Sequence, residues 1–326
     1  MAENCVFRVF FVVRGKRAAP WTEDVVQLEH WDSVPDLNAI YADVRANDLE
    51  RAIAEFDAFG FTVIPPDKVA PAGFAERLKR AILDVHERRT GYHIGDNELA
   101  NGTLEGDKPI ATHWSLLGED PIFEETVMNP VIYTLARYFC GKSVLLSDAI
   151  ALIKRRDPTP THMLHIDQAG TPPPLPPYQQ VLNITWALTD YTRDNGPVAI
   201  VPGSHRYGRM PMPYEEDFLK DGAPVKAYPI ECEAGSLIVW GGTTWHGSFP
   251  RTSPGLRVNL IMAFCRCYMK QVRDFRNEIP TEIVERNSPE FANLIGMNAL
   301  YPIDKNRGTA LKDREAFTGA GRNPWA

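Results

Sequence analysis

The chain is poor in cysteine, with five in 326 residues (Cys5, Cys140, Cys232, Cys265 and Cys267) and no CxxC pair. An odd set with that spacing argues against both a disulfide framework and a structural zinc site. Cys265 and Cys267 alternate as a strand does, which reads as two reduced thiols on one face. A basic tract is also missing, and the net charge is −7. Nucleic-acid binders carry a Lys/Arg footprint, so nucleic acid is not an expected partner. No apolar run approaches the roughly 20 residues of a membrane-spanning helix, and no segment repeats. Residues 6–13 are apolar enough to imitate a signal peptide. Arg8 interrupts them, Glu3 precedes them and Arg14-Gly15-Lys16-Arg17 follows on the wrong side. They are expected to form a β-strand of a cytoplasmic protein.

What is present is ordinary for a globular chain: 44% hydrophobic and 24% charged residues. Barrels and sandwiches of strands often use more than about 200 residues as one unit. A single domain over 1–326 is therefore expected, with a mostly helical part at 1–142, a strand-rich core at 143–268 and a helical tail at 269–326. Residues 36–59 carry Ile40, Val44, Leu49, Ile53 and Phe56 near the helical period, and Gly60 follows as a stop. Residues 61–64 read as a short strand, 72–86 as a second helix, 91–108 as a loop and 130–139 as a third helix.

From residue 143 the pattern changes. Short apolar runs at 144–146, 149–153, 181–188, 198–201, 236–240 and 257–264 are punctuated by Pro, Gly, Asn and Asp. Strands crowded without regular helices between them argue against a parallel βαβ sheet. They suit a mainly β fold with flanking helices, a jelly roll or related double-sheet barrel.

Within that region lies Thr161-His162-Met163-Leu164-His165-Ile166-Asp167-Gln168. On a strand, residues two apart face the same side, so His165 and Asp167 would point together. An imidazole and a carboxylate supply two thirds of the 2-His-1-carboxylate set that binds non-haem Fe(II). A His-x-Asp pair alone is a weak signal, because a surface histidine and aspartate look the same. Trp245-His246-Gly247-Ser248 offers a third ligand, and Arg257 stands eleven residues after His246. A turn across 250–255 would bring Arg257 back beside His246, where its guanidinium could grip a carboxylate through two hydrogen bonds. A surface arginine at a strand start remains the alternative.

Taken together, these segments resemble the phytanoyl-CoA dioxygenase family of Fe(II)/2-oxoglutarate oxygenases. His165-Ile166-Asp167-Gln168 is similar to the family's HxDQ segment, and His246 and Arg257 to its distal histidine and co-substrate arginine. Asn195-Gly196-Pro197 through Pro202-Gly203-Ser204-His205 resembles its NGP…PGSH segment, and Ala234-Gly235-Ser236 the turn before the distal histidine's strand. The resemblance runs from about residue 45 to 268 and implies a double-stranded β-helix. It implies Fe(II) on His165, Asp167 and His246, with 2-oxoglutarate and O2 as co-substrates. The distal carboxylate of 2-oxoglutarate would lie on Arg257 with Ser248 beside it. The implied reaction is oxidation of a C–H bond in a small molecule, most simply hydroxylation, with release of succinate and CO2. Halogenating relatives replace the carboxylate by a small residue; Asp167 is present, so halogenation is not expected.

Asn183 and Thr185 alternate on one strand face and are candidates for touching 2-oxoglutarate, with packing at the core edge the equal reading. His113, His162 and Tyr178 are candidate substrate contacts. Tyr178 ends a stiff segment, 170–178, that contains five prolines and forms either a pocket wall or a plain connection. His205 reads as structural, and Trp186 and Trp240 as core. The tail after Lys270 is a candidate dimer surface or cap on the site. Two other functions compete: a non-catalytic jelly roll that only binds a small molecule, and a cupin-like isomerase or hydrolase. The intact His165, Asp167, His246 and Arg257 count against the first, and Arg257 with Ser248 against the second.

Overall fold

The computed structural model describes residues 35–297, with 107 and 169 excepted. The described residues from Asp36 onwards belong to one compact unit, which carries the sheets. The strand expected at 6–13 and the tail beyond 297 lie outside the described residues.

Residues 36–59 form two helices, α1 (Pro35–Ala46) and α2 (Glu50–Phe59), where one was expected. Between them Asp48 takes a positive φ of 52°, a conformation that Asp tolerates better than most residues. Leu49 N–H then closes the end of α1 on Val44 O at 3.0 Å. Next come β1 (Phe61–Ile64), α3 (Pro66–Val69) and α4 (Phe74–Thr90), the last displaced from the expected 72–86. The 91–108 stretch holds a short helix, α5 (Asp96–Asn101), because Glu98 Oε2 reaches back to accept from Gly95 N–H at 2.9 Å. Strand β2 (Ile110–His113) and α6 (Pro121–Val127) were not anticipated; α7 (Pro130–Cys140) matches the third expected helix.

The core strands are β3 (Leu145–Lys154), β4 (Val181–Ala187) and β5 (Val198–Ile200), followed, after α8 (Pro213–Glu216), by four more. These are β6 (Tyr228–Pro229), β7 (Leu237–Gly241), β8 (His246–Ser248) and β9 (Arg257–Cys265). Short helices α9 (Phe275–Glu278), α10 (Thr281–Arg286) and α11 (Pro289–Leu294) close the described chain. One sheet runs β1-β7-β4-β9-β3-β2 and the other β6-β5-β8. Among the described residues every pairing of the named strands is antiparallel, which is the double-sheet jelly roll that strand crowding predicts. The core is not confined to 143–268, however. β1 and β2, from the part expected to be mostly helical, form the two edges of the larger sheet.

The two-residue strand period divides the larger sheet into an oily outer face and a working inner face. On β4, Leu182, Ile184 and Trp186 are fully buried in the helical layer, and Trp186 stacks on Phe74 of α4 with centroids 5.3 Å apart. Burial of each such side chain contributes roughly 1.5–3 kcal/mol. Val181, Asn183 and Thr185 face the other way, into a cavity of about 500 Å³. β9 repeats the division, with Val258, Leu260, Met262 and Phe264 outward and Arg257, Asn259, Ile261, Ala263 and Cys265 inward. It ends at Cys265, so Cys267 lies beyond the strand, and the expected alternation of two thiols on one face stops there.

Candidate metal centre and its cavity

His165 and Asp167 do not share a regular strand. His165 makes a single antiparallel bridge to His246, with N–H···O bonds of 2.9 and 3.0 Å in the two directions. The chain then turns, and Asp167 and Gln168 both donate their N–H to Gly242 O. Even so, the bridge sets the two histidines side by side, with ring centroids 4.2 Å apart. Gly247 permits this approach: a Cβ there would meet His162 O at 2.8 Å and Met163 O at 3.0 Å.

One atom from each of His165, Asp167 and His246 lies within 4.8 Å of the others. His165 Nδ1 contacts Met163 O at 2.8 Å, and His246 Nδ1 contacts Thr244 O at 2.9 Å. A carbonyl only accepts, so both Nδ1 atoms carry a proton, and in the neutral ring each Nε2 keeps a lone pair for a metal. Nε2 of His246 lies 3.3 Å from Asp167 Oδ2 and that of His165 3.8 Å from Oδ1. Burial holds the His246 imidazole below its ordinary pKa, hence neutral. Asn183 donates to Asp167 Oδ2 at 2.5 Å. It therefore positions the carboxylate, a role that its strand parity alone did not disclose. Trp240 is in the core as expected, in the buried cluster with Ile200 and Ile238, and its ring also borders the cavity, 5.2 Å from His246. The donor set of two neutral imidazoles and an oriented carboxylate fits Fe(II).

A second feature of the cavity is cationic. Arg257 is 6% exposed. It donates to Gly196 O, stands 4.8 Å over the Tyr191 ring and leaves Nε without a partner among the described residues. No carboxylate pairs with it among the described residues. A buried guanidinium in that position calls for an anion, and a dicarboxylate co-substrate fits. The β8–β9 turn that returns Arg257 to the site is tied by Arg251, which donates to Pro254 O and Gly255 O at 2.8 Å each and to Asn195. Lys154, opposite Arg257 on β3, is buried and donates to Thr161. Burial, then the Arg257 charge, lowers its pKa to about 8. Neither Arg251 nor Lys154 was singled out from the sequence.

The remaining candidates divide. His162, Ser248 and Thr185 line the cavity. Ser248 Oγ already accepts from Thr161 N–H and His162 N–H, at 2.8 and 3.0 Å, and Thr185 Oγ1 has no partner among the described residues. Burial lowers the His162 pKa, with His165 adding to the effect. His113 does not reach the cavity. It pairs with Ala151 on the helical side of β3, and its Nε2 lies 2.9 Å from His86 Nδ1. Strand parity turned it away, and the adjacent Trp114 lines the cavity instead. Tyr178 is likewise elsewhere: with Leu175, Pro176 and Pro177 it borders a separate hollow against the helices, and Arg266 lies over its ring. The proline-rich segment is thus not a wall of the metal cavity. His205 fits its structural reading, with Nε2 3.2 Å from Asp57 O.

Comparison with known proteins agrees with this geometry. The protein named Dioxygenase af480, from Aspergillus fumigatus, is 30% identical over 198 residues, 60% of this chain and 61% of that protein's length. Uncharacterized protein Rv1501 of Mycobacterium tuberculosis is 31% identical over 253 residues, covering 76% of this chain and 86% of its own. HygX from Streptomyces hygroscopicus, in a crystal structure with nickel and 2-oxoglutarate bound, superposes with a TM-score of 0.54. It covers 69% of this chain and 89% of its own at 16% identity, a likeness of fold. The family profile described as Phytanoyl-CoA dioxygenase (PhyH) matches residues 56–259, more than half the chain. On that match and the relatives' identity, the chain belongs to the phytanoyl-CoA dioxygenase family.

Proposed function

We propose that the chain is an Fe(II)- and 2-oxoglutarate-dependent dioxygenase that oxidises a C–H bond of a small organic molecule, with release of succinate and CO2. The observation that carries this reading is the pairing, in one cavity, of the His165/Asp167/His246 donor set with a buried guanidinium that has no acid partner among the described residues. Iron bound by these residues supplies the oxidising chemistry, with O2 and 2-oxoglutarate as co-substrates. His165 and His246 hold it as neutral Nε2 donors, and Asn183 fixes the Asp167 carboxylate. Arg257 grips the distal carboxylate of 2-oxoglutarate, and Ser248 and Thr185 offer hydroxyls nearby. The apolar side chains of Ile150, Leu152, Val181, Ile261 and Trp240 exclude water and accept a largely apolar substrate.

The four cysteines among the described residues are free thiols, which supports the cytoplasmic location included in the proposal. No described helix is long and apolar enough to cross a membrane. The test is succinate release from 2-oxoglutarate with ferrous iron, which His246→Ala abolishes together with tight iron binding. Full turnover in that variant overturns the ligand assignment. Absence of 2-oxoglutarate binding in the intact protein overturns the co-substrate.

A further inference from the structure

β3 is one strand, but its pairing is irregular. Its register against β9 shifts between Leu146 and Asp148, a β-bulge that re-aims the side chain beside it. The bulge explains why the apolar runs at 144–146 and 149–153 belong to one strand. Leu146 and Ala149 both remain in the helical core, while Asp148 faces the cavity in phase with Ile150 and Leu152.

Asp148 is 2% exposed. Its Oδ1 accepts from Ala149 N–H at 2.7 Å. Its Oδ2 is buried with no hydrogen-bond partner among the described residues. Arg273 acts on it electrostatically but is itself paired with Glu278 at 2.8 Å. Burial raises the Asp148 carboxyl to about 6. A half-satisfied carboxylate in an apolar wall destabilises the fold. The proposed metal and co-substrate positions do not account for it.

Its place relative to the metal centre follows from register. Asp148 pairs with Ala263, and Ala263 with Asn183, the residue that holds Asp167. Two strand spacings put Asp148 about 10 Å from Asn183, with only the small Ala263 side chain between them. Arg257 stands at the other end of the same face of β9, roughly 20 Å from Ala263 along the strand. A dicarboxylate held by Arg257 thus leaves the Asp148 end free. Resting on the oxygenase reading of the cavity, we infer that Asp148 is the substrate's polar anchor. Its free carboxylate oxygen accepts a hydrogen bond from a hydroxyl or amine of an otherwise apolar small molecule and so holds a neighbouring C–H bond near the metal.

The test uses intact protein loaded anaerobically with Fe(II) and 2-oxoglutarate, titrated calorimetrically with cyclohexanemethanol, cyclohexanemethylamine and the methyl ether of the alcohol. At least one of the two donors binds about tenfold or more tighter than the ether, which cannot donate. Asp148→Leu erases the preference. Asp148→Asn keeps it for the alcohol and loses it for the amine, which separates the two donor types. An ether that binds as well as both donors, binding of no probe, or a preference that survives in Asp148→Leu overturns the inference. Denaturant unfolding without ligand gives a second readout. Asp148→Asn, which keeps an acceptor for Ala149 N–H but removes the charge, is more stable than the parent, as expected for a group kept for a ligand rather than for the fold. Equal or lower stability overturns that account. The 2-oxoglutarate titration made before any probe is added isolates failure of the oxygenase reading from failure of the anchor.

Discussion

Replacing Arg257 by Ala tests the co-substrate site most directly, because the structure allows the competing effects to be separated. The guanidinium is 6% exposed, Nε has no protein partner, and no acid group pairs with it among the described residues. Its protein contacts are the Gly196 carbonyl, the Tyr191 ring and a long 3.4 Å approach to Asn259. Losing the Gly196 bond costs about 1 kcal/mol net. Removing an unpaired buried charge offsets some or all of that, so folding stability changes by less than about 1 kcal/mol. Binding behaves differently. Truncating one member of a buried charge pair typically costs about 2–5 kcal/mol, on the order of 30- to several-thousand-fold in affinity at 1.4 kcal/mol per tenfold. Anaerobic titration of the iron-loaded protein with 2-oxoglutarate, followed by metal-to-ligand absorption, reads the change; denaturant unfolding supplies the control. Arg257→Lys retains the charge without the two-pronged geometry and falls between the two. An unchanged 2-oxoglutarate affinity in Arg257→Ala refutes the reasoning. If Lys154→Met then removes binding, the neighbouring cation holds the carboxylate instead.

Asn183→Ala frees the Asp167 carboxylate and lowers iron affinity about 10- to 100-fold, while 2-oxoglutarate affinity of the iron-saturated protein stays within a few-fold; unaltered iron affinity refutes the positioning role. Burial, followed by the His86 and Arg89 charges, lowers His113 to about 4, below the ordinary histidine value of about 6.5. The unfolded chain therefore takes up a proton first, and stability falls as pH drops from about 6.5 towards 4, by up to about 3 kcal/mol from this group. Urea unfolding at pH 7 and pH 4.5 shows a smaller difference in His113→Gln than in the parent, and equal differences refute it. With Asp167 occupying a ligand position, products formed in chloride buffer gain oxygen or lose hydrogen and carry no chlorine by mass spectrometry. A chlorinated major product overturns Asp167 as a ligand.

Local chemistry made much of this protein legible in its sequence. The alternation in Val181–Ala187 and Arg257–Cys265 encodes strands with one apolar face, and that face is what the helices cover. The order of His165, Asp167, His246 and Arg257 carried the site, since those residue types have few other reasons to recur at that spacing. Where the sequence misled, side-chain direction depended on partners remote in the chain. His113 looked like a cavity residue until pairing with β3 turned it towards His86, and Tyr178 went to a different hollow because its segment packs against the helices. Trp240 and Trp186 are both core, as expected, yet parity puts Trp186 under the helices and Trp240 in the cluster on the cavity face. The expected His-x-Asp strand proved to be one bridge and a turn, decided by two amides meeting Gly242 O. Asp148 shows the limit most clearly. Its type and neighbours mark an ordinary polar break between apolar runs, and only a one-residue bulge against β9 makes it a buried carboxylate aimed at the substrate space. Residue types and periods are local properties written in the chain, whereas register, parity and the identity of a buried group's partners arise only when distant strands pair.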